Sequence, residues 1–187
     1  MDAVEKLHME MIDVITPAGV QTGRSLSREA IHKNGTWHRT VHVWVVDEKG
    51  RRVLLQKRAA QKDAHPGMWD VSCAGHIESG HTSLRTAVRE LEEELGLAVK
   101  AENLHRLCTI PSQFKLQDGR FVDNELVDVY LLKKEVACSD LALQAAEVET
   151  VQQVLLSDLE KRVLLGDPRL VPHTGSYTVL FQHFQNR

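Results

Sequence analysis

The stretch GHIESGHTSLRTAVRELEEELGL, residues 75–97, limits what this chain can fold into more than any other. Leu84, Ala87, Val88, Leu91 and Leu95 recur at helical spacing, and Gly96 stands where a helix would stop. The spacing predicts a helix over residues 82–95 with one stripe buried against a core. The same helix carries four glutamates in the five positions from Glu90 to Glu94. Like charges three and four residues apart repel by ~0.2–0.5 kcal/mol per pair. Only Arg89 offers an (i, i+4) partner, to Glu93. At about 100° per residue, Glu90, Glu93 and Glu94 share an arc of roughly 100°, with Glu92 outside it. A plain solvated acidic face would explain such an arc on many helices. Here the repulsion is poorly compensated, and the helix follows CAGH, a glycine loop whose carbonyls can approach a cation closely. Clustered hard oxygens of this kind suit Mg²⁺ or Mn²⁺.

The rest of the chain reads as strands and short helices around that segment. Residues 10–23 form a hairpin about Pro17-Ala18-Gly19, Ser27–Ala30 start a short helix, and a turn follows at Lys33-Asn34-Gly35. HRTVHVWVVDEKGRRVLLQKR is two β-rich runs joined by a tight turn at Asp47 to Gly50. PGMWDVSCAGH is short and extended. Two or three more strands follow, among them ELVDVYLL at 125–132, with mixed alternation. A helix over 156–165 opens at Ser157, a good N-cap, and a last helix spans Ser176 to Asn186. The pattern is a mixed sheet with helices on its faces, α/β or α+β, in one domain of 187 residues.

Composition removes several classes of function. With 23 basic against 26 acidic residues and a net charge of −3, nothing favours a nucleic-acid polymer as partner. A small anionic substrate carried with a divalent metal remains compatible. Cys73, Cys108 and Cys138 are widely spaced, with no CxxC pair, and read as free thiols of a reducing compartment. The opening MDAVEKLHMEMID lacks the apolar run of a signal peptide, and no stretch is long enough to span a membrane. The expected location is cytoplasmic.

Residues 75–97 closely resemble the Nudix box, G-x5-E-x7-R-E-U-x-E-E-x-G-U with U aliphatic. Gly75, Arg89, Glu90, Leu91, Glu93, Glu94, Gly96 and Leu97 match in register, and the resemblance runs from about residue 10 to 165. It implies the Nudix fold, an α/β/α sandwich with a mixed β-sheet. It also implies metal-dependent hydrolysis of a nucleoside diphosphate-linked or related diphosphate. Carried over, Glu90 and Glu94 are the metal ligands, Glu93 is ligand or base, the Gly75 carbonyl lies nearby and Arg89 orients a glutamate. One position departs. The first box glutamate falls at His81, and an imidazole cannot replace a carboxylate facing Arg89. His81 is then either a metal ligand or a mark of weakened activity.

HRTVHVWVVD, LLQKRAAQK and PGMWDVSCAGH further resemble isopentenyl diphosphate isomerase, a relative with the same fold. That resemblance implies that Arg58 and Lys62 contact a substrate diphosphate. It also places His32, His38, His76, Asp123 and Glu125 where the isomerase holds a metal, a candidate second site. The isomerase needs a cysteine directly before Gly-His, whereas this chain has Ala74 there and Cys73 one position earlier. Neighbours in an extended segment face opposite ways, so Cys73 cannot stand in. Hydrolysis is therefore expected over isomerisation. A Nudix-fold binding module without chemistry is the rival from another class, with His81 in its favour. The expected partner is a small diphosphate, and the reading leaves room for a homodimer.

Overall fold

The strand His38–Asp47 is buried along almost its whole length, with Val41, Val43, Val45 and Val46 all at or near zero exposure. Such a run belongs at the centre of a sheet covered on both faces. The computed structural model describes residues 10–49, 51–116 and 118–185. In chain order its elements are β1 (Met11–Ile15), β2 (Gln21–Ser27), α1 (Arg28–Asn34), β3 (His38–Asp47), β4 (Arg52–Arg58), β5 (Trp69–Asp70), β6 (Cys73–His76), α2 (Ser83–Leu95), β7 (Leu104–Lys115), β8 (Val122–Lys133), β9 (Val148–Leu155), α3 (Leu156–Leu164) and α4 (Thr174–Gln185). Gly50 of the expected turn, Asn186 of the expected last helix and the first nine residues lie outside the described residues.

β3 pairs in parallel with β8 and antiparallel with β4 and β6; β7 continues the sheet beyond β8, and β5 and β9 flank β4. The sheet is mixed. Val41, Val43, Val45 and Leu54 meet Ala87, Leu91 and Leu95 of α2 on one face. Trp44, Val46, Val127, Val129 and Leu131 meet Leu156 and Leu159 of α3 and Tyr177, Leu180 and Phe184 of α4 on the other. Three layers result, an α/β/α sandwich. Burial from both sides also explains the mixed alternation of 125–132, since apolar residues of β8 pack into both helical layers, Tyr130 and Leu132 on one face and Val127, Val129 and Leu131 on the other.

α2 begins where Thr82 accepts the Arg85 N–H and ends at Gly96, whose left-handed backbone (φ 65°) closes the helix. α3 differs from expectation. Its cap position is Leu155, the last residue of β9, and Ser157 lies inside the first turn. The chain passes directly from strand to helix, and the Leu156 N–H goes to the Arg51 carbonyl instead. α4 likewise opens at Thr174, because Ser176 is buried and its hydroxyl takes the Trp44 indole N–H at 3.1 Å.

The β1–β2 hairpin and α1 form a small separate layer, with Ile12, Val14 and Ile31 buried together. The Ser79 N–H bonds the Met11 carbonyl at 2.7 Å, which ties this layer to the loop before α2.

Candidate active site

Glu94 sits on the α2 face that closes a cleft of roughly 610 Å³ and is only 4% exposed. It accepts from the Gln56 side-chain amide at 3.2 Å and from the Ala74 N–H at 3.5 Å. Glu90 lines the same cleft beneath Gly75, so close that a Cβ at residue 75 would fall 2.3 Å from the Glu90 carboxyl carbon. Only glycine permits that approach. Burial raises the Glu94 carboxyl to about 7. Burial, followed by the charge of Glu94, raises Glu90 to about 8. Carboxyls withdrawn from water resist ionisation, and the charges of Arg89 beside Glu90 and of Lys62 toward Glu94 offset this only in part. Glu93 is different: its side chain is 48% exposed and turned to Arg89 at 2.9 Å. Glu92 points to solvent, as its place outside the arc requires.

Arg89 is the hinge of this face. Its Nη2 reaches Glu90 at 2.8 Å and Glu78 at 3.1 Å, and its Nη1 reaches Glu93 at 2.9 Å. His81 lies in the turn before α2, where its backbone N–H bonds the Glu78 carbonyl. Its Nδ1 is buried without a hydrogen-bond partner, as is Arg89 Nε.

Across the cleft, three imidazoles and two carboxylates from α1, β3, β6 and β8 converge. His32 Nε2 lies 3.2 Å from His76 Nε2 and 3.6 Å from Asp123. His38 Nε2 lies 3.5 Å from Asp123 and 3.7 Å from Glu125. Each Nδ1 is engaged from behind: His32 with the Arg28 carbonyl (2.8 Å), His38 with the Thr36 carbonyl (2.9 Å), His76 with Glu10 (3.2 Å). An Nδ1–H given to those acceptors leaves each Nε2 lone pair aimed inward, the arrangement by which proteins orient metal-ligating histidines. Burial keeps His32 and His38 neutral, at about 4 and about 3. Burial also raises Asp123, and more strongly Glu125, which faces Asp123. His38 Nε2 and Asp123 Oδ1 are buried with no hydrogen-bond partner. Among the described residues, the sets whose ligating atoms lie within 4.8 Å of one another are His32, His38, His76 and His38, Asp123, Glu125. The glutamates of α2 form no such set; Glu93 is turned to Arg89. All the donors fit a divalent ion, the α2 oxygens favouring Mg²⁺ or Mn²⁺ and the nitrogen-rich group Mn²⁺ or Zn²⁺.

Arg58 and Lys62 line the cleft too, and both already have partners. Arg58 donates from Nη1 to the wholly buried Asp70 (2.8 Å) and from Nε to the Ala64 carbonyl (2.9 Å); Lys62 pairs with Glu147. Burial alone would raise Asp70, but His173 at 3.1 Å and Arg58 hold it well below the usual carboxylate range. Arg58 is therefore a strut as well as a cation. His42 does not join the metal-binding geometry; its ring packs on His173 at 4.4 Å, and burial lowers it to about 3. Cys73 is fully buried under α2, while Ala74 faces the cleft, the opposite orientations that an extended segment requires.

Glu10, Glu78, Asp70 and His173 had no mark in the sequence. Glu10 and Glu78 meet His76 and Arg89 only through the hairpin, and Asp70 meets His173 across more than a hundred residues. No local spacing encodes such contacts.

The NUDIX domain family matches residues 36–174. Residues 10–35 precede that match, yet they bring Glu10, Arg28 and His32 to the cleft. Nudix hydrolase 3 of Arabidopsis thaliana is 38% identical over 182 residues, 95% of this chain but 24% of that protein, so the chain spans about a quarter of this relative's length. An isopentenyl-diphosphate Delta-isomerase of Cereibacter sphaeroides is 31% identical over 176 residues, covering 91% of this chain and 93% of that one. In fold, the crystal structure of DR0079 from Deinococcus radiodurans superposes with a TM-score of 0.65 at 18% identity, over 91% of this chain and 97% of that one. With the box residues on one helix face and the sheet between two helical layers, the chain belongs to the Nudix family of hydrolases, in the branch that resembles isopentenyl diphosphate isomerase.

Proposed function

We propose that the chain hydrolyses a small diphosphate, nucleoside diphosphate-linked or closely related, with Mg²⁺ or Mn²⁺. The observation that carries this reading is the pair Glu90 and Glu94 on one α2 face, Glu94 buried and Glu90 pressed against Gly75, both lining the cleft that Arg58 and Lys62 also line. Glu90, Glu94 and the Gly75 carbonyl hold the ion, and Glu93 is a further ligand or the base. When bound, the ion supplies neutralisation of charge at the attacked phosphorus and a more acidic water. Arg89 keeps Glu90 and Glu93 in place, and Lys62 with Arg58 orients the diphosphate. Hydrolysis of a panel of nucleoside diphosphate compounds, with Mg²⁺, with Mn²⁺ and with neither, tests the reading.

A second reading rests on the five converging ligands His32, His38, His76, Asp123 and Glu125: a second metal site and isomerase-like chemistry. Ala74 counts against the chemistry, because the cleft wall there offers no thiol and Cys73 is sealed under α2. A site for a second ion at the cluster is compatible with hydrolysis. The non-catalytic alternative rests on His81, and it loses its main support if another carboxylate holds Arg89.

A further inference from the structure

We propose that Glu78 is the positioning carboxylate for Arg89, supplying from three residues upstream what the box pattern would place at residue 81. The inference rests on the reading of Glu90 and Glu94 as the metal-holding pair. Glu78 Oε1 lies 3.1 Å from the same Nη2 that reaches Glu90 at 2.8 Å, and the Glu78 side chain is only 18% exposed. Its backbone is fixed from two sides. Glu78 forms a bridge with Ile12 of β1, and its carbonyl takes the His81 N–H at 2.9 Å. The neighbouring Ser79 N–H bonds Met11. A carboxylate on so restrained a backbone can hold a guanidinium in one orientation, and Arg89 in turn holds Glu90 under Gly75.

The guanidinium is thus anchored at both Nη atoms, while Nε is buried without a partner. That open donor is the one a carboxylate at residue 81 could also serve. In this chain the anchor stands in the loop that bridges to β1, and residue 81, a histidine, does not fill the role. Glu78 touches neither phosphate nor metal in this scheme. It acts through Arg89, and its contribution is distinguishable from general stability by rescue.

The experiment compares natural protein, E78Q, H81E and E78Q/H81E, each checked for folding by circular dichroism. Steady-state hydrolysis is measured on whichever diphosphate the natural protein turns over. The Arg89 guanidinium ¹⁵N signals are recorded in metal-free protein. E78Q should lower kcat/KM about tenfold, mostly in kcat, the loss of one charge-assisted hydrogen bond. It should also release hindered rotation of the Arg89 Nη groups. E78Q/H81E should recover most of both, because a carboxylate returns within reach of Nε. An active natural protein with E78Q unchanged in rate and in the Arg89 signals overturns the proposal. So does a slowed E78Q that H81E fails to rescue, since Glu78 would then be structural only. A natural protein inactive on the whole panel removes the hydrolase reading instead, and the Arg89 signals still decide whether Glu78 anchors the guanidinium.

Discussion

Single atoms decide much at this site. A methyl group at residue 75 would collide with the Glu90 carboxylate, so Gly75→Ala should swing Glu90 aside. We expect kcat/KM to fall tenfold or more, about 1.4 kcal/mol of transition-state stabilisation, with the sheet intact by circular dichroism. Arg58 and Lys62 separate by their partners. Lys62→Ala should lower kcat/KM while barely moving the melting temperature, because its pair with Glu147 is partly exposed and contributes ~1 kcal/mol at most. Arg58→Ala should lower both, since Asp70 is wholly buried and loses a charged donor, at a cost of about 2–3 kcal/mol. Urea unfolding of the two variants, set beside their kinetics, checks the contrast. An unchanged kcat/KM in both would show that the cations serve the fold alone. From sequence Arg58 reads as a contact for a substrate diphosphate; its pair with Asp70 has no local signal.

At the scale of elements, α2 carries a built-in conflict, and pH exposes it. Glu90 and Glu94 bind protons more tightly folded, at about 8 and about 7, than they would in an open chain. Their contribution to stability is full below about pH 4.5 and is lost as pH rises through those values. His32 and His38 run the other way: their lowered values give stability that is present above about pH 6.5 and lost as pH falls toward 4 and 3. In EDTA, stability should therefore decline from about pH 6.5 to 8, and added Mg²⁺ should restore more of it at the upper end. Guanidinium midpoints across pH 6–9 measure this. Glu90→Gln should flatten the decline, and a decline of equal slope in that variant would assign it to other groups. The amphipathic stripe and Gly96 make α2 legible from sequence, since period and stop are local. The start of α3 is not legible. Ser157 is a good cap in isolation, but β9 runs straight into the helix and the Arg51 carbonyl takes the N–H that a cap would have followed.

Across the whole molecule, the cleft is where three layers and one extension meet. α2 brings the acids, β8 brings Asp123 and Glu125 with His38 of β3 buried behind them, and the N-terminal hairpin with α1 adds Glu10, Arg28 and His32. A mixed sheet with helices on its faces is readable from the alternation of strands and helices, the three-layer sandwich from the resemblance of the box, and the acidic face from its spacing. The partners of that face come from β4, β6 and the loop that bridges to β1, brought together by backbone pairing that no local pattern displays. The account as a whole stands on the acids of α2 acting with a divalent ion on a diphosphate. Its most direct test is hydrolysis of the diphosphate panel by the natural protein and by Glu94→Gln, which keeps size and removes charge, each with saturating Mg²⁺ and with EDTA. The account predicts turnover by the natural protein that EDTA abolishes, and a Glu94→Gln protein that is folded, at least as stable without metal, and slower by a hundredfold or so, about 2.7 kcal/mol. Full turnover by Glu94→Gln, or turnover by the natural protein that EDTA leaves untouched, would contradict it.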